Sequence, residues 1–127
     1  MRDALHRYRE LEVQSSSSEV LVLRLYEAAI RHCRAARAHH GGDNTQELGQ
    51  AVSQALAIVG ELQQALDFEH GGEIAHNLDR LYLFVSDRLV ETSVDGRAEA
   101  IDEAMLVLEP LCEGWAEIVA NCGEAAP

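Results

Sequence analysis

Residues 45–67 read TQELGQAVSQALAIVGELQQALD, and this stretch decides the fold. Leu48, Val52, Ala55, Val59, Leu62 and Leu66 recur every three or four residues. That spacing stacks side chains on one face of an α-helix; a strand would alternate every second residue. Gly41-Gly42 stops the chain before the stretch, Asp43 and Asn44 supply N-cap side chains, and Gly71-Gly72 breaks it afterwards. Upstream, residues 18–40 carry Val22, Tyr26, Ala29, Cys33 and Ala36 on one face, with Ser17 or a neighbour as the cap and Glu19 near the positive end of the helix dipole. Downstream, residues 73–92 turn Ile74, Leu78, Leu81, Val85 and Leu89 inward, and Asp95-Gly96 makes the next turn. Residues 97–120 then present Ile101, Ala104, Met105, Leu108, Leu111, Cys112, Trp115 and Val119. Four helices joined by short turns predict an all-α fold, an antiparallel up-and-down four-helix bundle over residues 18–120. The chain reads as one domain, with residues 1–17 as an N-terminal arm (a short helical piece around residues 3–9 at most) and 121–127 as a fraying tail. Pro110 has no N–H and crowds the carbonyl four residues earlier, so a kink is expected near Leu106.

A length of 127 residues fits one domain large enough to bury a core without a disulfide or metal staple. The net charge is −12, from 22 acidic residues against ten arginines and no lysine. Such acidity argues against nucleic acid and against anionic membrane surfaces, both of which select a positive face. No apolar run approaches the ~18–20 residues of a membrane span, and the start carries no secretory leader pattern, so a soluble cytoplasmic protein is expected. The charge is uneven: residues 1–40 hold seven Arg and five acids, and residues 41–127 hold three Arg and 17 acids. A basic first helix beside acidic ones would ease their repulsion; a basic docking stripe is the sharper alternative. Cys33, Cys112 and Cys122 form no Cys-x-x-Cys pair, and the first two fall on apolar stripes, as buried reduced thiols do.

Residues that carry chemistry are sparse. Glu73-Ile-Ala-His76 has the Glu-x-x-His spacing of di-iron bundles, but such a site needs a second pair and two more inward glutamates. His39-His40 is more simply a helix C-terminus that favours positive charge. His32, between Arg31 and Arg34, is the one phosphotransfer candidate, and Asp67 and Glu69 are the one pair of neighbouring acids at a helix end. No phosphate-cradling glycine loop or nucleophile–base signature accompanies them, so neither enzyme activity nor a cofactor or metal is expected.

Apolar surface, in contrast, is in excess. Leu21, Leu25 and Ala28 run along one flank of the first helix, and Leu23 and Ile30 lie on the other. Leu83 and Val90, seven residues apart, point away from the third helix's core face, and Phe84 lies off it; Leu106 and Val107 leave the main stripe of the fourth. Single exposed apolar residues are ordinary, whereas several stripes together suit a groove for a partner's amphipathic helix. The candidate groove is therefore Leu21, Leu25, Ala28, Leu83, Phe84, Val90, Leu106 and Val107.

From Tyr8 to Trp115 the chain resembles the FliS family of flagellar secretion chaperones. The N-terminal part has Tyr8, Val13, a serine-rich cap and Leu25-Tyr26. The middle has Leu66-Asp67-Phe-Glu69, Gly71-Gly72, Asn77-Leu78 and Leu81-Tyr82, in the family's order and spacing, and Trp115 follows late in the fourth helix. Departures are Ser18 in place of a cap proline, Thr92-Ser93 in place of Ala-Asn, and Pro110. The resemblance implies a non-enzymatic cytoplasmic protein that binds the C-terminal region of flagellin, keeps it from polymerising and assists its delivery to the type III export apparatus. It also implies that Tyr8 and Val13 plug the binding surface when no client is present, and that Tyr26, Leu66, Asp67, Asn77, Leu78, Leu81, Tyr82 and Trp115 are the family's structural positions. The alternative is a helical adaptor for another flagellar component, such as an anti-sigma factor or an export-gate protein. Bare apolar stripes also leave a homodimer open as the client-free form.

Overall fold

The computed structural model describes residues 18–42 and 45–125, with side chains as far as Asn121. The arm with Tyr8 and Val13, the Ser17 cap, the Asp43 and Asn44 caps and the side chain of Cys122 lie outside the described residues. Four helices follow one another: α1 (Ser18–His39), α2 (Thr45–Gln64), α3 (Phe68–Asp95) and α4 (Ala98–Ala125). Among the described residues there is no strand. Each helix packs against its neighbours in sequence, and α4 closes the ring on α1. The α1–α4 register descends as α1 ascends: Tyr26 meets Trp115 with ring centroids 6.4 Å apart, Arg34 meets Glu109 at 3.2 Å, and Arg37 meets Asp102 at 3.0 Å. These contacts make α1 and α4 antiparallel, as the short turns demand of every sequential pair.

The core is the predicted set on α1, α2 and α4. Tyr26, Ala29, Cys33 and Ala36 meet Val52, Ala55, Val59 and Leu62 of α2 and Ile101, Ala104 and Leu108 of α4. Leu23 and Ile30, expected on a surface flank, are buried as well, because the α1–α4 seam closes over them. The expectation fails on α3. Ile74 and Leu81 were expected inward, yet Ile74 is 71% exposed and Leu81 is also exposed, while Ala75 and Tyr82 take the core positions beside Val85 and Leu89. The two faces share Leu78, Val85 and Leu89, so they differ by a small rotation of the helix. Tyr82 settles it, since its hydroxyl finds that of Tyr26 at 2.5 Å and can enter the core with its polar atom satisfied.

The ends of α3 explain its bounds. It begins five residues before the expected start because Asp67 caps a preliminary turn, its carboxylate accepting from the backbone N–H groups of Glu69 and His70, both at 3.1 Å. The expected Gly-Gly break is real but lies inside the element: Gly72 has φ 53° and ψ −126°, a non-helical conformation that separates this turn from the main helix. Gly96, left-handed at φ 69°, ends α3 by donating its N–H to the Thr92 carbonyl at 3.0 Å. At the same bundle end, His40 Nε2 donates to the Gly96 carbonyl, tying the α1–α2 turn to the α3–α4 turn. Helix α4 continues through Pro110, the residue expected to kink it near Leu106, without a break. Leu106 and Pro110 are both exposed, one turn apart on the outer face, where water can replace the lost hydrogen bond.

Candidate functional site

Tyr26, Tyr82 and Trp115 converge where the start of α1 meets the middle of α3 and the later part of α4. The Tyr26 ring lies 6.3 Å from that of Tyr82 and 6.4 Å from that of Trp115, measured between centroids. Burial raises both phenols above their ordinary pKa, so the pair stays neutral at neutral pH. Beside it opens an apolar cavity of about 230 Å³. Its lining comes from all four helices and the α2–α3 turn: Val22 from α1, Leu62, Ala65 and Leu66 around the end of α2, Ala75, Leu78 and Tyr82 from α3, and Trp115 from α4. Asp67 and Gly71 stand at the rim, with Ile74 projecting beside them. The hydrogen bonds from His70 and Glu69 hold the Asp67 carboxyl below its usual pKa, the His70 N–H being the largest contribution, so this carboxylate is a helix cap. The cavity therefore has room for a large apolar side chain, and its lining holds no nucleophile–base pair.

The predicted groove residues do not share one groove. Leu21, Leu25 and Ala28 lie on the α1 flank that carries His32, Ala35 and His39, which faces α2 at Glu47, Gln50 and Gln54. Leu25 is partly buried and packed against the core. Leu83 and Val90 are exposed on the outer face of α3, and Val94 continues their line. Phe84 is exposed on the α4 side of α3, and Val107, packed against the core from α4, falls level with it in the register that Arg88 and Glu103 set at 4.0 Å. Leu106, 73% exposed, stands apart on the outer face of α4. The apolar surface is thus divided among two seams, two outer helix faces and one end cavity. Of the family positions, Tyr82, Trp115, Leu66 and Leu78 line the cavity, Tyr26 packs behind the Tyr82 and Trp115 rings, Asp67 caps α3, and Asn77 and Leu81 are exposed.

Sequence reading missed the cavity and Thr92. Thr92 is fully buried, and its hydroxyl reaches the carbonyls of Arg88 at 3.1 Å and Arg97 at 3.3 Å, fastening α3 to the start of α4. In the sequence it shows only as a departure from the family pattern. The candidate metal and phosphate residues stay apart. Among the described residues no cluster of His, Cys, Asp and Glu could hold a metal ion, and His76 stacks against Phe68 with centroids 4.8 Å apart. The basic stripe of α1 is used in part within the fold, where Arg34 and Arg37 pair with acids of α4. Among the described residues no helix is long and apolar enough to cross a membrane.

The family model described as flagellar protein FliS matches residues 1–122. A flagellar secretion chaperone FliSB of Pseudomonas aeruginosa is 31% identical over 116 residues, covering 88% of this chain and 92% of its own. Flagellar secretion chaperones FliS are 30% identical over 118 residues in Campylobacter jejuni, covering 93% of this chain and 92% of that one, and 34% identical over 110 residues in Salmonella typhimurium, covering 86% and 82%. With its four-helix bundle and divided apolar surface, this chain belongs to the FliS family of flagellar secretion chaperones.

Proposed function

We propose that the client of this export chaperone is the C-terminal region of flagellin, held 1:1 in the cytoplasm until it is handed to the export apparatus. The observation that carries this reading is the apolar cavity at the end of the bundle, accompanied by exposed apolar residues on more than one face. An unassembled filament subunit exposes amphipathic helices. Covering them takes an anchoring pocket and several apolar strips, which a segment that folds on binding can span. The ordering cost moderates affinity and so permits release. Tyr8 and Val13 act as the removable cover of this surface; their arm joins α1 four residues before Val22 of the cavity lining.

Titration calorimetry with a C-terminal flagellin peptide from the same organism should give 1:1 binding. Ala65→Trp, which fills the cavity from an exposed lining position, and Leu83→Asp, on the outer face of α3, should each weaken it while leaving the helical circular dichroism unchanged. Wild-type affinity in both variants would move the client off this surface. No binding by the wild-type protein would favour the adaptor reading, with an anti-sigma factor or export-gate component as partner, or a second copy of the chain as cover.

A further inference from the structure

The end cavity has two large aromatic walls, and a third aromatic residue ties them down without bordering the space itself. Tyr82 of α3 and Trp115 of α4 line the cavity, whereas Tyr26 of α1 does not. Tyr26 is buried behind them, its ring 6.3 Å from that of Tyr82 and 6.4 Å from that of Trp115 between centroids. The polar atoms of all three meet at the Tyr26 oxygen. The Tyr82 hydroxyl lies 2.5 Å from it. Burial raises the Tyr26 phenol and Tyr82 adds to the effect, while the Trp115 indole N–H opposes it, as a donor to that oxygen does. One order keeps every polar atom of Tyr26 and Trp115 paired: the indole N–H donates to the Tyr26 oxygen, and the Tyr26 hydroxyl donates to Tyr82. An indole N–H can only donate, so when buried it is held wherever it finds an acceptor.

The two walls are held unequally. Tyr82 is buried among the core residues of α3. Trp115 is only partly buried, packed against the core with the cavity of about 230 Å³ beside it. An empty apolar space forfeits the contacts that its lining would make if it were filled. The indole is large enough to fill much of it, and a change of side-chain rotamer would move the ring toward the space. The pocket would then be closed to any other occupant. The bond to Tyr26 opposes this, because an indole that swings into an apolar cavity leaves its N–H without an acceptor.

We propose that Tyr26 is a positioning residue for client binding: its hydroxyl holds the Trp115 indole against the core and so keeps the end cavity open for an apolar anchor. The proposal rests on the reading of this cavity as the client's anchor site, and Tyr26 itself acts only through Trp115 and Tyr82.

The test uses the full-length protein and two probes, benzene for the cavity and the C-terminal flagellin peptide for the client. An open apolar cavity takes benzene without help from polar groups. Tyr26→Phe keeps the ring and loses the hydroxyl; it should weaken benzene binding at least tenfold, and peptide binding with it. Trp115, the one tryptophan of the chain, reports the cause. In Tyr26→Phe its emission should shift to the blue and its quenching by acrylamide should fall, as the ring moves into the space. Tyr82→Phe breaks the same hydroxyl pair but leaves the indole its acceptor, so its loss of benzene affinity should be at least threefold smaller, with the Trp115 emission in place. Equal losses in the two variants with an unmoved indole are what a merely structural role gives, and they would overturn the proposal. So would a wild-type protein that takes no benzene. A measurement on the wild-type protein guards against a variant that fails to fold: the Trp115 indole N–H should exchange with deuterium at least tenfold more slowly than that of an unfolded peptide, and exchange at the unfolded rate would also overturn the proposal. If the benzene pattern holds but the wild-type protein binds no flagellin peptide, the role of Tyr26 stands and the client reading falls. If the peptide binds and Tyr26→Phe takes both probes as the wild type does, the client reading stands and the role of Tyr26 falls.

Discussion

At the residue scale, the Tyr26–Tyr82 pair is where polar chemistry and packing depend on each other. Two hydroxyls share one hydrogen bond in a site with almost no solvent access. Tyr82→Phe should take from the buried Tyr26 hydroxyl its hydroxyl partner, leaving it the Trp115 indole alone, and cost about 1–3 kcal/mol in a denaturant melt, while the double change Tyr26→Phe/Tyr82→Phe should recover part of that loss. A double variant as unstable as the sum of the singles would show that the hydroxyls act independently. Cys33 makes the same environment measurable by pH: burial pushes its thiol up to about 12. Because the folded value lies above the unfolded one, its contribution is fully present below about pH 8.5 and is lost as the pH rises toward 12. Urea midpoints should therefore fall between about pH 8 and about pH 11, and Cys33 should react with a thiol reagent only on unfolding.

At the scale of the element, three glycines give opposite expectations. Gly72 sits at φ 53° in open space, so Gly72→Ala would force an alanine into a conformation it rarely adopts and should destabilise by about 1–3 kcal/mol without any clash. Gly71 has the reverse problem, since an added β-carbon would lie 2.9 Å from the Ala75 β-carbon in the core. Gly114 has neither, and Gly114→Ala should stabilise α4 by about 0.5–1 kcal/mol through helix propensity. Thermal melts of the three alanine variants check the order: Gly114→Ala above wild type, the other two below. The Asp67 cap adds a pH arm. Its folded pKa is lowered, so its contribution is present above the usual carboxylate pKa and disappears as the pH falls through the folded value; Asp67→Ala should lower the melting temperature at pH 7 and flatten the acid limb. The helices, their turns and the Gly-Gly break were legible from periodicity and glycine placement. The short turn ahead of Gly72 was not, because one capped turn is too brief to leave a periodic pattern.

For the whole molecule, the net charge of −12 works against compaction, and the ion pairs of α1 with α4 relieve only part of it. Each pair is exposed and worth only about 0–1 kcal/mol, so their use lies in reducing repulsion between the most acidic helix and its neighbour. The same charge resists self-association of a protein that leaves apolar strips uncovered. Raising ionic strength from about 0.01 to about 0.15 M should therefore raise the melting temperature, as screening weakens the self-repulsion. A melting temperature that fell with salt would mean that the ion pairs outweigh the net charge.

Sequence alone determined the number of helices, the places where they stop, the excess of apolar surface and the family, because each is written in local spacing or in residues read in order. Tertiary structure alone decided which side of α3 entered the core. Two overlapping apolar faces shared Leu78, Val85 and Leu89, and no local rule prefers Ile74 and Leu81 over Ala75 and Tyr82. The choice rests on a hydroxyl in another helix, Tyr26, 56 positions away in the chain. The same rotation turned Ile74 and Leu81 outward. Helical periodicity fixes which residues share a face; only the packed neighbours fix where that face points.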